Sequence, residues 1–377
     1  MPTKIMMESL KRENRLPNND NSEALLQEGF LICERCYNFE SMDYLRNSIL
    51  ATLVYYDIFD FPLTLFEVNK YLINPGRLSN NPVLGIITLG QIADELKNLV
   101  NSGSVGSKNG FYFLPGREVL YELRIEREKI AAQKWKKFLR IAKWFQAVPY
   151  LRAILASGSL AINNTDRESD FDVLSVARSG RLYTCRIFLS LVASLFGARR
   201  TRYEKSAPDK FCFNHYITDG DLNIKHESLY NAQTYANLKP LLAGGRIVSR
   251  FYAENIWLNK YIYNSSRSDL GTSLRSDLGI RSISPDSALL AVAKLGEFVL
   301  NSFLGDKIED WAKMYQQKRI KENPATYEPG GRVVFNDNEL EFHPRSFEAF
   351  AIDKYNKKLK QLGIVPYVEE KDSGLTV

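Results

Sequence analysis

Apolar side chains begin to recur at helical spacing near residue 43, and the elements of the chain are predicted from that point. Residues 1–42 are polar and rich in asparagine at their start, so we interpret them as an N-terminal arm without assigned chemistry. From Leu45 to Ile58 apolar residues recur every three or four positions, which predicts a helix. The segment Asp60-Phe61-Pro62 closes this helix, because proline cannot continue it.

Two further helices and a hairpin are predicted next. Thr64 is a suitable N-cap for a helix over 65–72, and apolar spacing predicts a third helix over 89–102. An Asn-Gly turn at 109–110 then joins two short strands. Three helices followed by a two-stranded wing are the element order of a winged helix-turn-helix domain, so residues 43–117 are predicted to form one.

The charge of the third helix bears on its partner, because a winged helix commonly reads DNA with that helix. Lys97 is its cation, against Asp94 and Glu95. Such a helix would neutralise DNA phosphates poorly. We therefore favour a protein partner, or docking within the chain, over nucleic acid, and DNA binding stays open as the alternative.

Residues 118–150 are predicted to form a connecting helix. Basic and acidic residues alternate from Glu118 to Gln146, while Trp135 and Phe138 belong to an apolar stripe. We interpret the charged residues as a solvated face of this helix, which Pro149 ends.

An anion-binding turn follows this helix. Residues 154–156 predict a short buried strand, and the helix-forming residues 160–162 come soon after it. Gly158 lets a phosphate approach the main chain closely, and the Ser159 hydroxyl and nearby backbone N–H groups are donors. We therefore predict that Gly158 and Ser159 bind an anion.

Two aspartates follow on a predicted strand. Asp170 and Asp172 stand at positions i and i+2 of the strand pattern over 170–176, so period two places both carboxylates on one face. Neighbouring carboxylates repel each other unless a cation neutralises them. Because hard divalent ions prefer oxygen ligands, the sequence predicts that Asp170 and Asp172 hold Mg²⁺ or Mn²⁺.

At these residues the chain resembles the nucleotidyltransferase superfamily that includes DNA polymerase beta. The superfamily signature is Gly-Ser, a spacer near ten residues, and Asp-hydrophobic-Asp-hydrophobic. Here Gly158-Ser159 is followed, after ten residues, by Asp170-Phe171-Asp172-Val173. In similar bacterial proteins of unassigned substrate, a segment like 56–64 precedes the motif. The resemblance covers most of 45–260 and implies an α+β fold, with a mixed β-sheet flanked by helices over 151–264.

The resemblance also implies an activity. Such an enzyme moves a nucleoside monophosphate from a nucleoside triphosphate to a hydroxyl-type acceptor and releases pyrophosphate. Asp170 and Asp172 would be the catalytic and metal-binding residues, and Gly158 and Ser159 would hold the triphosphate. No residue pattern chooses the nucleotide or the acceptor.

Two arginines after the metal strand are further candidates for nucleotide binding. A helix that begins near Arg181 would aim Arg181 and Arg186 at the triphosphate. The rival interpretation is that both are solvated helix residues. His215, on a later strand, is interpreted as a structural histidine.

The family normally supplies a third carboxylate from a later strand. The strand predicted over 210–217 has Asn214 at that place, and an amide is a weaker ligand that cannot usefully accept a proton. Asp219, Asp221 and Glu227 follow it as possible replacements. The alternative function is therefore a catalytically degenerate regulator that senses nucleotide and binds DNA or a partner protein through its winged helix.

The rest of the chain is predicted to be mostly helical. Residues 238–241 indicate a break before a helix over 251–262. Residues 265–285 contain a duplicated Arg-Ser-Asp-Leu-Gly and are interpreted as an exposed linker. Residues 286–377 are predicted to form a mostly helical C-terminal region that includes an amphipathic helix over 347–362.

Composition adds limits to these predictions. With 377 residues, 45% of them apolar, the chain has material for two or three domains, and a net charge of +6 permits an anionic ligand without requiring one. No apolar run has membrane-spanning length and no secretory signal is evident, so we expect a cytoplasmic protein without a membrane partner. Cys33 and Cys36 form a lone CxxC, which predicts neither a disulfide framework nor a four-ligand zinc site.

Overall fold

The computed structural model describes residues 44–374 except 80–85, 202–203, 205, 244, 265–281 and 345. Three features named above lie outside the described residues: the N-terminal arm, the pair Cys33 and Cys36, and the duplication in the linker. The described chain has the α+β composition that was predicted, with one three-stranded and one six-stranded sheet.

Three helices and the small sheet form the start of the described chain. They are α1 (44–57), α2 (Leu65–Tyr71) and α3 (Leu89–Asn101), with β1 (Leu63–Thr64), β2 (Gly106–Lys108) and β3 (Phe111–Phe113) paired antiparallel in the order β1-β3-β2. The three predicted helices and the hairpin are confirmed. Thr64 caps α2 as predicted, because its hydroxyl accepts from the N–H of Glu67 and its own N–H donates to the Glu67 carboxylate.

Six strands form the large sheet. They are β4 (Leu151–Ala156), β5 (Phe171–Ala177), β6 (Phe211–Thr218), β7 (Lys239–Ala243), β8 (Arg332–Phe335) and β9 (Glu339–His343). Their order is β7-β4-β5-β6-β9-β8, in which β5 and β6 are parallel and the other neighbouring pairs are antiparallel. The sheet is therefore mixed, and its strands β8 and β9 come from beyond the range 151–264 that the sequence analysis assigned to it.

Helices cover both faces of this sheet. They are α4 (Leu120–Ala142), α5 (Gly158–Ala161), α6 (Leu182–Leu195), α7 (Leu229–Ala236), α8 (Gly245–Glu254), α9 (Ser287–Leu300), α10 (Phe303–Lys321) and α11 (Glu348–Gln361). One core joins Phe138 of α4 to Phe171 of β5, and the core on the other face joins Leu174 of β5 to Phe251 of α8. Successive residues of β5 thus face opposite cores, which fixes the face on which each site residue lies.

The last helix completes a third core, which the first helices begin. The predicted amphipathic helix over 347–362 is confirmed as α11, and its Tyr355 is buried together with Ile49 of α1 and Leu96 of α3. Lys358 of α11 also forms an ion pair with the buried Asp57 of α1. The two ends of the described chain therefore stabilise each other.

The break between helices predicted at 238–241 is confirmed, because α7 ends at Ala236 and α8 begins at Gly245. The segment between them is strand β7, which the sequence analysis did not predict, and its Pro240 cannot donate a hydrogen bond to a neighbouring strand. β7 is an edge strand, however, and an edge tolerates proline because one row of its N–H groups has no strand to pair with. The helix predicted over 251–262 is divided between α8 and a 3-10 turn over Ile256–Lys260.

The helical stretch after the linker consists of α9 and α10, which are bent by 94° relative to each other. Among the described residues, no single helix is both long enough and apolar enough to cross a membrane. Helices α9 and α10 have the length and apolar composition of a membrane span only when the two are counted together.

Candidate metal and phosphate site

The two predicted metal ligands lie side by side at the start of β5. Asp170 immediately precedes the strand, and Asp172 is on the face opposite to the buried ring of Phe171. A carboxylate oxygen of each aspartate and the thiol sulfur of Cys212 all lie within 4.8 Å of one another. The structure therefore brings both carboxylates to one place.

Gly158 lies against the carboxylate of Asp172. The N–H of Ser157 donates to the backbone carbonyl of Asp172 at 2.9 Å, which holds the turn after β4 against the start of β5. Gly158 has a φ of +63°, and a Cβ atom there would lie 2.4 Å from Oδ2 of Asp172. Only glycine fits this position, since the turn lies directly against the Asp172 carboxylate. The predicted phosphate turn and the predicted metal ligands are therefore parts of one site.

Ser159 is a half-buried residue of the short helix α5. Its backbone carbonyl accepts a hydrogen bond from the N–H of Asn164 at 2.8 Å. Its hydroxyl has no hydrogen-bond partner among the residues that the structure describes. That hydroxyl is therefore a free donor next to Gly158.

Helix α4 holds the loop between the glycine turn and the aspartates. Trp135 donates from Nε1 to Oδ1 of Asn163 at 3.0 Å. Nζ of Lys134 donates to the carbonyl of Ser169 at 2.7 Å. These contacts fix both ends of the spacer, so the relative position of the turn and the aspartates depends on α4.

The prediction of a solvated charged face on α4 is wrong for two of its basic residues. Arg124 is 4% exposed and Lys134 is 3% exposed. Arg124 pairs with Glu67, and Lys134 pairs with Asp209 at 2.9 Å. A charged partner offsets the desolvation of each cation, and apolar periodicity along a sequence does not reveal such partners.

The electrostatics of the site follow from burial of two like charges. Burial, and then the neighbouring Asp170, raise the pKa of Asp172 to about 7, while Arg200 and a hydrogen bond from Asn214 oppose this rise. Burial also raises the pKa of the Cys212 thiol, and the two aspartates raise it further. The group therefore carries less negative charge near neutral pH than its residue types suggest.

Arg200 is a site residue that the sequence analysis missed. Its guanidinium forms an ion pair with Asp170 and lies 3.8 Å from the sulfur of Cys212. The N–H of Arg200 donates to the carbonyl of Phe211 at 3.1 Å, which holds this segment against β6. No motif includes Arg200, and only the pairing of its backbone with β6 brings it to the aspartates.

Asn214 lies where the family's third carboxylate was expected. Its amide Nδ2 donates to Oδ1 of Asp172 at 3.1 Å. Among the described residues, no further carboxylate joins the group of Asp170, Asp172 and Cys212.

The three possible replacements have other partners, and two of them, Asp219 and Asp221, follow the opposite end of β6. Asp219 accepts from the N–H of Ser179, while Asp221 pairs with Lys225 and Glu227 pairs with Lys260. An eight-residue strand spans roughly 25 Å. These acids are therefore not placed to complete the site.

The two arginines predicted to bind nucleotide are also placed elsewhere. Arg181 follows the far end of β5, where it pairs with Asp306 and lies over the ring of Tyr150. Arg186 lies in α6, over the ring of Phe342, on the sheet face opposite to Asp172. As predicted, α6 begins next to Arg181, but Arg181 lies at the opposite end of β5 from the aspartates, and Arg186 lies on the other face of the sheet.

His215 is a satisfied structural residue, as the sequence interpretation has it. Its Nε2 lies 3.1 Å from the Glu339 carboxylate, and its Nδ1 lies 2.9 Å from the hydroxyl of Tyr235. His215, Glu339 and Glu341 lie close enough together to suggest a second metal site. Arg332 occupies both of its oxygens, however, at 2.7 and 2.8 Å, so we assign this buried network to stability.

Comparison with protein-family models, with curated proteins and with solved structures found no match.

Proposed function

We propose that this protein is a metal-dependent nucleotidyltransferase that resembles the DNA polymerase beta superfamily, with a winged-helix domain over 43–117. It would move a nucleoside monophosphate from a triphosphate to a hydroxyl-type acceptor and release pyrophosphate. One observation carries the proposal: the carboxylates of Asp170 and Asp172 converge beside Gly158, at a position where no side chain fits. A paired carboxylate site next to a glycine turn suits a metal with a phosphate.

The aspartate pair fits a divalent cation. Like charges in a partly buried site are unfavourable, and a cation would relieve the repulsion that otherwise raises the pKa of Asp172. Asp170 and Asp172 offer the oxygen ligands that Mg²⁺ and Mn²⁺ prefer, whereas the Cys212 thiol suits softer metals. When bound, the cation would supply positive charge to the phosphate oxygens.

The other contacts to the triphosphate would come from the chain itself. Gly158 brings the turn against the Asp172 carboxylate. A phosphate held by the cation would therefore lie beside the backbone N–H groups of this turn, and the free Ser159 hydroxyl would donate to it. Arg200 would exchange its partner Asp170 for a phosphate oxygen, because both are anionic acceptors. Positioning and charge stabilisation account for most of catalysis in phosphoryl chemistry, so these contacts would hold the reacting groups in line.

The proton of the acceptor hydroxyl also needs a base. Asn214 cannot usefully accept it, because an uncharged amide is a very weak base. Of the two aspartates, Asp172 is the one whose pKa burial and the neighbouring Asp170 raise to about 7, which makes it the stronger base. We therefore assign the proton to Asp172, and we expect slower turnover than in an enzyme with three carboxylates.

A second candidate function is a nucleotide-sensing regulator without turnover. Two observations favour it: the amide of Asn214 replaces an acid, and Arg200 neutralises Asp170. In that case the triphosphate would bind without reacting, and the winged helix would report its binding to a partner. Because Lys97 is the cation of α3 against Asp94 and the buried Glu95, a protein partner fits this helix better than DNA.

A thermal-shift screen of the four nucleoside triphosphates with and without Mn²⁺ tests the shared prediction of metal-dependent binding. A ligand that binds only the folded state raises the melting temperature. We expect at least one nucleotide to do so with metal, and D170N and D172N to abolish the shift. D353N is the matched control, because Asp353 is an exposed aspartate of α11 whose ion-pair partner among the described residues is Lys357.

Release of pyrophosphate separates the two functions. Metal-dependent release that D172N removes, with unchanged folding, supports the enzyme. Binding without release, over a range of hydroxyl acceptors, supports the regulator. If no nucleotide produces a metal-dependent shift in the wild-type protein, both functions are wrong.

A further inference from the structure

The pair of helices α9 and α10 exposes an unusual number of large apolar side chains. Eleven such residues are at least 37% exposed, five on α9 and six on α10. The most exposed stand where the two helices meet: Phe298 at 81%, Phe303 at 72% and Leu304 at 70%. We call the exposed apolar residues of 290–315 the corner surface.

The corner surface is continuous along each helix. On α10, Leu304, Ile308, Trp311 and Tyr315 follow one another at intervals of four, three and four residues, which places them on one side of the helix. The rings of Trp311 and Tyr315 stack at 5.5 Å between centroids. Exposed residues of α9 have the same spacing from Val292 to Val299. Two apolar stripes therefore meet at the bend.

The area of this surface exceeds what a monomer usually exposes. Large apolar side chains have on the order of 150–250 Å² each, so eleven that are roughly half exposed present on the order of 1,000 Å². The largest apolar patch on a typical monomer is about 300–600 Å². A standard protein interface buries about 800 Å² on each partner. The corner surface is thus large enough for a stable interface by itself.

The acids of α9 and α10 bind these helices to the rest of the protein. Glu297 pairs with Arg152, and Asp306 pairs with Arg181. Glu309 accepts from two backbone N–H groups at the start of α6. The cations of α10 are mostly exposed instead, and Lys307 and Arg319 lie over the rings of Phe303 and Tyr315. Basic residues beside an apolar stripe also occur on membrane-bound helices, so the area and the composition of the surface carry the choice of a protein partner.

We propose that the corner surface is the interface between two copies of this chain. Interface centres are rich in aromatic residues and methionine, and this surface combines Trp311 and Met314 with Phe298 and Phe303. Two-fold dimers are the commonest oligomers, and they place one patch against the same patch of the second copy. Such a dimer buries the apolar stripes without requiring a second kind of surface.

Sedimentation velocity of the full chain over a wide range of concentrations tests this interface. The wild-type protein has twice the 43.2 kDa mass of one chain. The double variant F298E/F303E sediments as a monomer, with a dissociation constant raised about 100-fold or more, because carboxylates in an apolar interface lose their hydration. F66E is the matched control: Phe66 of α2 is 71% exposed and lies outside the corner surface, so this variant remains a dimer.

Circular dichroism establishes that the variants are folded, and the single variant W311E replaces the double variant if the latter is not. A wild-type protein that is monomeric at every concentration overturns the proposal. So does a dimer that the glutamate variants leave intact. Co-sedimentation of the wild type with anionic phospholipid vesicles, lost in F298E/F303E, would assign the surface to a membrane instead.

Discussion

Gly158 stands at the closest approach between the turn and the aspartates, so its replacement tests the geometry directly. A Cβ atom at this position would require the Asp172 carboxylate to move, in addition to the left-handed φ of +63°. We expect G158A to lose Mn²⁺ binding and to lower the free energy of unfolding by more than the roughly 1–2 kcal/mol that a left-handed backbone costs an L-residue.

G197A supplies the control for that substitution. Gly197 has nearly the same φ, +62°, but an added Cβ atom there meets nothing within 4 Å. Calorimetric titration with Mn²⁺ and denaturant unfolding should therefore show a modest loss of stability in G197A with metal binding retained. Equal metal affinity in both variants would contradict the close approach.

Asp172 predicts a pH dependence for the metal-free protein. Its folded pKa of about 7 lies above the ordinary value of 3.8, so the folded state holds the proton more tightly than the unfolded state does. The free energy of unfolding therefore falls as pH rises from about 4 to about 7 and is level above that range. D172N cannot ionise, so we expect it to exceed the wild type in stability at pH 8 by about 1–3 kcal/mol and to equal it at pH 4.

Urea unfolding in the presence of a chelator measures this difference. D353N is again the control, because Asp353 is exposed and its replacement should change stability equally at both pH values. A wild-type protein as stable as D172N at pH 8 would show that the fold does not disfavour the charged aspartate. Replacement of this proposed metal ligand should stabilise the metal-free protein above neutral pH.

At the scale of elements, α4 acts as a support for the site rather than only as a connection. Lys134 is buried and donates to the carbonyl of Ser169, the residue immediately before Asp170. We expect K134M to lower stability by about 1–3 kcal/mol, because it removes the hydrogen bonds that the buried ammonium donates to Ser169 and Asp209. We also expect it to weaken Mn²⁺ binding, because the start of β5 loses its anchor.

K137M is the matched control for this prediction. Lys137 also pairs with Asp209, but its side chain is 57% exposed, so its removal leaves little unsatisfied. Denaturant unfolding and Mn²⁺ titration of both variants check the pair. If K134M and K137M behave alike, the buried contact to Ser169 does not position the aspartates.

The elements also show which parts of this fold a sequence can predict. Periodicity and capping predicted α2, α3 and the hairpin because those signals act within a few residues. The same signals did not predict β7, since whether Pro240 is tolerated depends on which strands lie beside it. They did not identify Arg200 either, because its approach to Asp170 depends on backbone pairing with β6. The residue types along the chain were enough to propose Gly158 and the two aspartates as site residues. Which other residues surround them depends on strand pairing between distant segments, which the sequence does not show.

At the scale of the whole molecule, segments far apart in sequence pack together in two places, the large sheet and the first core. Strands β8 and β9 extend the sheet that contains the aspartates, and α11 returns to the helices at the start of the described chain. The ion pair of Arg77 with Glu370 connects these ends as well. Neither the sheet nor the first core is therefore complete without the last forty or so described residues.

This arrangement has a consequence for biosynthesis. A ribosome that has translated α1 to α3 has produced apolar surfaces whose covering helix is still hundreds of codons away, so the nascent chain cannot bury them at once. Folding with contacts this distant is slow and leaves such surfaces open to aggregation. We therefore expect chaperones to raise the soluble yield of this protein during translation, and a premature stop codon near the end should yield insoluble product rather than a shortened soluble chain.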